Sequence, residues 1–274
     1  MGQDRTPRRV TGTALIFFTV NDPRYTTDPM YIFFHLFTGI VLGLLFADFF
    51  SDRRWVIPCA LGAILPDLID KPIGQILFAE SIGYGRIYGH TLLFFVLVLI
   101  AGLAFWKYRR SPLFLALATG ILSHEVLDQM WHEQANWFWP FLGPLQGHLP
   151  PDYYLVLING ELSDPFDILI AILLVCGVIL YIRYRALIMA RGSYRAILKG
   201  GLLLGAWAFL LLAGIILGKA AIGQTLPFTS WTQPEQSMIG GVVFIFAAWV
   251  TWRLRCRIPD DMPDSPAAPA AGER

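Results

Sequence analysis

The chain has 274 residues, of which 55% are hydrophobic and only 15% charged, with a mean hydropathy of +0.55. Soluble domains carry about 25% charged residues, so composition excludes an ordinary soluble domain and points to an all-α, multi-pass protein of the cell membrane. A formal net charge of +1 offers no basic footprint for nucleic acid, and no nucleic-acid partner is expected.

Residues 1–30 read as an N-terminal arm or interfacial segment. Their apolar patch at 14–20 is too short to span, and Asn21-Asp22-Pro23-Arg24 follows it without a small-residue cleavage site. A transmembrane helical domain is expected over 31–258, with about seven spans near 31–50, 55–69, 90–106, 112–131, 165–182, 196–217 and 238–252. The second is the weakest, because it is short and ends in Pro66-Asp67-Leu68-Ile69-Asp70. The proline- and alanine-rich tail, 259–274, cannot bury a core and is expected to be disordered. Three glycine pairs, Gly39/Gly43, Gly201/Gly205 and Gly214/Gly218, would allow helices to approach closely within one monomer. Cys59, Cys176 and Cys256 have neither metal-type spacing nor an even-numbered disulfide framework.

Charge sets an expected orientation. Lys107, Arg109 and Arg110 form one basic cluster, Arg183, Arg185, Arg191, Arg195 and Lys199 a second, and Arg253, Arg255 and Arg257 a third. Residues 132–165 contain no lysine or arginine. The basic clusters read as cytoplasmic and 132–165 as external, which places the C-terminus in the cytoplasm. Arg53 and Arg54 agree; Arg5, Arg8, Arg9 and Arg24 run against this assignment.

With that orientation, six costly polar residues fall at the outer face: His35, Asp67, Asp70, His90, His124 and Asp128. Ionisable groups are expensive near lipid and mark sites. His124 and Asp128 are spaced i, i+4, and Asp67 and Asp70 i, i+3, so each pair shares a helix face. Imidazoles mixed with carboxylates suit Zn, Fe, Ni or Mn better than Ca. A catalytic site of this kind keeps one position open and activates water. The competing readings are a hydrogen-bonded cluster that serves packing, and an ion-handling or transport site.

Four further features are ambiguous. Arg86, four residues before His90, either clamps an anionic group or snorkels to the interface. His132 either extends the His124/Asp128 face or is solvated, and His148 reads as surface. Glu125 faces away from His124 and could act as a base only if the helix end unwinds. Trp131, Trp137, Phe138, Trp139, Phe141, Tyr153 and Tyr154 read as an interfacial belt, or as a lid over the site.

These pieces resemble the bacterial and archaeal family of membrane-bound metal-dependent hydrolases, the YdjM-like proteins. The resemblance rests on His35, Leu65-Pro66-Asp67 with Asp70, Arg86 with His90-Thr91, Ser123-His124 with Asp128, and Trp139-Pro140, and covers about residues 30–145. Gly85 stands where the family's third motif starts with His, and the acidic pair is Asp-x-x-Asp rather than Asp-x-Asp. The resemblance implies hydrolysis with a divalent metal, zinc first, manganese or iron as alternatives. The expected metal ligands are His35, His90, His124 and Asp128, joined by Asp67 and Asp70, one of which could instead orient water. Arg86 would stabilise developing negative charge. A site at headgroup level would take an ester or phosphoester of a membrane lipid or lipid-linked substrate.

Overall fold

The computed structural model describes residues 31–145, 158–160, 162–189, 192–227, 229, 231 and 233–259. The expected arm at 1–30, the tail beyond 259, His148, Tyr153 and Tyr154 lie outside the described residues. Among the described residues every regular element is helical. These are α1 (Ile32–Phe49), α2 (Val56–Gly62), α3 (Leu65–Lys71), α4 (Leu92–Arg109), α5 (Leu113–Leu127), α6 (Gln134–Trp137), α7 (Pro165–Met189), α8 (Gly192–Ala221) and α9 (Pro234–Cys256).

Among the described residues, four helices are long and apolar enough to cross a membrane: α1, α4, α8 from Arg195, and α9. Helix α5 and the first part of α7, Pro165–Leu180, are apolar but shorter. The second expected span is not one helix. It is split into α2 and α3, and α3 runs on into a π-helix at Pro72–Leu77. The break follows from local chemistry. Pro66 has no N–H to donate and fits the first turn of a new helix. Asp67 stands in that first turn and Lys71 in the last, as the helix dipole favours.

The helices meet with alternating direction. The starts of α1, α4, α7 and α9 and the ends of α3 and α5 gather at one end of the bundle, joined by His35–Asp128, Asp70–His90 and His132–Glu235 pairs. Asp167 of α7 accepts hydrogen bonds from the backbone N–H groups of Phe33 (3.3 Å) and Phe34 (3.0 Å), capping α1 from another helix. At the opposite end Asp48 of α1 pairs with Arg257 at 2.7 Å. Between these ends lies an aromatic core of Phe34, Phe37, Phe166, Phe244 and Trp231, with ring centroids 5.0–6.3 Å apart, several of them edge to face.

Small residues decide how closely α2 seats. A Cβ on Gly39 would lie 2.5 Å from that of Ala63, and one on Gly43 2.9 Å from the Val56 backbone. Gly62 and Gly120 allow α2 and α5 to cross almost backbone to backbone; a methyl on either would collide with the carbonyl oxygen of Leu117 or Cys59. The first glycine pair therefore packs inside the monomer. Gly201, Gly214 and Gly218 face open space among the described residues, so the other two pairs do not mediate such contacts there. Outward faces stay apolar, with Leu97, Ile100 and Leu103 on α4 and Leu204 and Leu211 on α8 exposed.

Candidate metal centre

The site is built on a tight loop between the π-helix and α4. Asp70, fully buried on α3, gathers this loop around its carboxylate. Its Oδ2 accepts from Ile87 N (2.8 Å) and His90 N (3.1 Å), and its Oδ1 from Gly89 N (2.7 Å). Gly89 lies so close to Pro66 and Asp70 that a side chain there would press on both. Thr91 then caps α4 by accepting from Phe94 N. His90, between Gly89 and Thr91, is thereby fixed with its ring inward and fully buried.

Each of the three histidines is oriented by its Nδ1. His90 Nδ1 donates to Asp70 Oδ2 at 2.7 Å, His124 Nδ1 to the Ala63 carbonyl at 2.8 Å, and His35 Nδ1 to the Tyr31 carbonyl at 2.7 Å. Those acceptors require N–H at Nδ1, which leaves the Nε2 lone pairs of neutral His90 and His124 free to coordinate; His35 Nε2 instead faces Asp128 Oδ1 at 2.9 Å and coordinates only once a metal takes the place of the proton between them. The Nε2 atoms point to one place. His90 Nε2 and His124 Nε2 are 3.0 Å apart. Asp67 Oδ1 is 3.4 Å from the first and 3.9 Å from the second. Asp128 Oδ2 is 3.7 and 3.8 Å from the same two atoms, while its Oδ1 is 2.9 Å from His35 Nε2. Two triads result, His35–His124–Asp128 and Asp67–His90–His124, each with ligand atoms within 4.8 Å of one another. His124 belongs to both.

Two lone pairs facing each other at 3.0 Å repel unless a cation or proton lies between them. Donors bound about 2.1 Å from one tetrahedral centre stand about 3.4 Å from each other, and the separations of 2.9 to 3.9 Å here lie on either side of that value. The donor set, the separations and the anchored Nδ1 atoms all fit a divalent metal.

An outer frame of charges holds the carboxylates. Lys71 Nζ pairs with Asp67 Oδ2 one helical turn away. Arg86 Nε donates to Asp128 Oδ2 at 2.9 Å and its Nη1 to Glu133 Oε1 at 2.6 Å. Tyr84 donates its hydroxyl to Glu133 Oε2 at 2.7 Å. Burial opposes the charge on Arg86, but Asp128 and Glu133 outweigh it and hold the guanidinium protonated well above its usual range. Burial, with Glu133 beside it, pushes the Tyr84 hydroxyl up. Among the described residues, the permanent cations paired with Asp67, Asp128 and Glu133 are Lys71 and Arg86. A divalent ion in the cluster would offset carboxylate charge, since buried charge must be paired.

The structure thus gathers His35, Asp67, His90, His124 and Asp128 in one cluster. Asp70, expected as a ligand or base, stands behind His90; its oxygens are taken by three amides and a ring N–H. Arg86 neither snorkels nor waits for an anion, but bridges Asp128 and Glu133. His132 points outward to Glu235 at 3.1 Å. Glu125 is buried, and neither carboxyl oxygen has a hydrogen-bond partner among the described residues. Lys71, Glu133 and Tyr84 were not singled out by sequence. Lys71 could have been found as the i+4 partner of Asp67; Glu133 and Tyr84 carry no local signal, because their contact crosses 49 positions.

The family model of the YdjM inner membrane protein matches residues 30–220, a stretch that contains every member of this cluster. The chain belongs to the YdjM inner membrane protein family. Its family membership and its apolar helices make it an integral, multi-pass protein of the plasma membrane. None of the curated proteins and none of the solved structures matches it.

Proposed function

We propose that this YdjM-family protein is a metal-dependent hydrolase acting on an ester or phosphoester of a lipid-like substrate at the outer membrane interface. The observation that carries the reading is the facing of His90 Nε2 and His124 Nε2 at 3.0 Å, each with Nδ1 already committed to an acceptor. His35, Asp67, His90, His124 and Asp128 would hold the metal, with zinc best suited to this N/O set. A bound divalent ion supplies Lewis acidity, lowering the pKa of water and polarising an ester or phosphoryl oxygen. In the net reaction water adds across the C–O or P–O bond; its OH goes to the acyl or phosphoryl product and its H to the alcohol.

The chain's own residues prepare the site. Asp70 fixes the tautomer and direction of His90, and the Tyr31 and Ala63 carbonyls do so for His35 and His124. Lys71 holds one oxygen of Asp67 and leaves the other directed into the cluster; Arg86 steadies Asp128 through Oδ2, with Oδ1 against His35. Glu133 keeps Arg86 in place. The near-complete burial of His90, His124 and Asp67 limits bulk water.

A second reading, an ion-handling protein, draws on the divided α2–α3 element, since transporters place broken helices at their sites. Metal analysis of purified protein, followed by assays of lipid extracts with metal-replete and chelated protein, tests the proposal. Metal-dependent release of acid or phosphate is expected, with both metal and turnover lost in His124→Ala. Bound metal without turnover, together with ion flux that survives in His124→Ala, would end the hydrolase reading.

A further inference from the structure

The divided second stretch presents an outward face of one kind. From Ile57 to Phe78, through α2, α3 and the π-helix, every exposed residue is apolar. The nearest exposed charges are Arg54 before this run and Glu80 after it. The run does not stop at the cluster: Leu77, one helical segment beyond Asp70, is 71% exposed, and Ile76 and Phe78 beside it are exposed too. A second segment behaves the same way. From Ala135 to Leu145 the chain has no charged residue, and within it Phe141 is 79% and Leu142 58% exposed.

Both segments grip the loop that leads to His90. Gly74 of the π-helix lies so close to the Tyr84 carbonyl that a Cβ would collide with it, and a Cβ on Gly85 would stand 2.6 Å from Gln75 Nε2. From the second segment, Glu133 accepts the Tyr84 hydroxyl at 2.7 Å, and the Trp139 ring meets Tyr88 edge to face, centroids 5.4 Å apart. The three pieces form one collar beside the cluster. Arg86 and Glu133 face inward to Asp128, and the collar's exposed side chains are apolar.

Three observations say what covers those side chains. Large apolar patches are not left to water. The two runs carry no exposed charge, whereas a protein interface has a polar rim and regular hydrogen bonds. The amides at the exposed tips are also satisfied within the chain, as lipid demands: Phe78 N–H reaches the Ile73 carbonyl at 2.9 Å, and Phe141 and Leu142 N–H reach the Phe138 carbonyl at 2.8 and 3.4 Å. The apolar run is unbroken from α2, so the cover of the membrane helices extends over the collar.

We infer that the collar is seated in the membrane leaflet on the side of the cluster. Leu77, Phe78, Phe141 and Leu142 lie among acyl chains close to the headgroups, with Tyr88 and Trp139 at the boundary, where amphipathic rings belong. The partner is the lipid itself, and this seating does not depend on what chemistry the cluster performs.

The test attaches a nitroxide to Leu77→Cys or Phe141→Cys of the full chain in phosphatidylcholine nanodiscs, in a Cys176→Ala, Cys256→Ala background; Cys59 is fully buried and stays unlabelled. Ile100→Cys, on the exposed face of α4, is the lipid reference, and His132→Cys, exposed beside Glu235, the water reference. Power saturation compares collisions with O₂, which concentrates in lipid, and with a nickel chelate confined to water. The O₂-to-nickel ratio at Leu77 and Phe141 should exceed unity, as at Ile100, and fall below it at His132. A variant that melts below its background is replaced by its neighbour, Phe78→Cys or Leu142→Cys, so that both segments are read. A ratio below unity in either segment puts that segment in water and overturns the inference. Shielding from both reagents, with dipolar broadening that vanishes on dilution with unlabelled protein, assigns the face to a second copy of the chain and overturns it as well.

Discussion

Asp70 offers the sharpest test of the site's construction, because its place behind His90 differs from that of a ligand. In Asp70→Asn one oxygen becomes an amide nitrogen. If the remaining oxygen takes the Oδ2 position, it keeps the bonds to Ile87 N, His90 N and His90 Nδ1, and the new NH₂ faces Gly89 N, donor against donor, across a contact now 2.7 Å long. The opposite rotamer would spoil three bonds to keep one. The better rotamer loses one hydrogen bond to a charged acceptor, about 1.5–3 kcal/mol, and leaves His90 donating to a neutral amide. Removing the partner of a metal-binding histidine weakens metal binding by about 10–100-fold. The assay is a competition titration of Zn²⁺ or Co²⁺ against a chromophoric chelator, with melting temperature as a folding control. Asp70→Asn should retain one metal per chain at this reduced affinity, while His90→Ala and Asp67→Ala should fall further, since each removes a donor atom. An unchanged affinity in folded Asp70→Asn would refute the orienting role. A loss as complete as in His90→Ala would place Asp70 among the ligands.

Asp167 is buried and caps α1 just before His35; Asp167→Ala should lower stability by about 1–3 kcal/mol for each N–H left without an acceptor and weaken metal binding, with Asp167→Asn intermediate, as read by thermal melts and the same titration. Gly120→Ala should force α2 and α5 apart at a cost of about 1–3 kcal/mol or more, visible as a lower melting temperature and reduced metal uptake; normal values for both would refute the close crossing. Lys71→Met should leave Asp67 without its ion-pair partner and destabilise the metal-free protein more than the metal-bound one, so that added Zn²⁺ raises the melting temperature more than in the wild type. For orientation, a membrane-impermeant maleimide applied to right-side-out vesicles should label His132→Cys in a Cys176→Ala background and leave Cys256 unlabelled; labelling of Cys256 from outside would invert the topology.

Much of the architecture was legible because lipid imposes blunt rules. Long apolar stretches must be helices, since no water is present to satisfy the backbone, and α1, α4, α8 and α9 follow from that alone. The split of the second stretch was visible only as a weakness at Pro66–Asp70. How closely its first half then seats against α5 depends on Gly62 and Gly120, a contact between positions far apart in the chain. The candidate site divides the same way. His35, Asp67, His90, His124 and Asp128 could be chosen because such groups are too costly near lipid to be idle. The roles of Asp70, Arg86, Glu133 and Tyr84 could not, because a carboxylate reads alike in sequence whether it faces a cation or a backbone amide.

The sequence by itself determined an all-helical membrane protein and which imidazoles and acids lie at one end of its helices, because hydropathy and helical spacing act over neighbouring residues. Only the tertiary structure decided that three Nε2 atoms converge, that Asp70 turns its oxygens to a loop, and that Arg86 is shared by two acids. Those are matters of direction between segments far apart in the chain, set by how closely glycine-lined helices can pack.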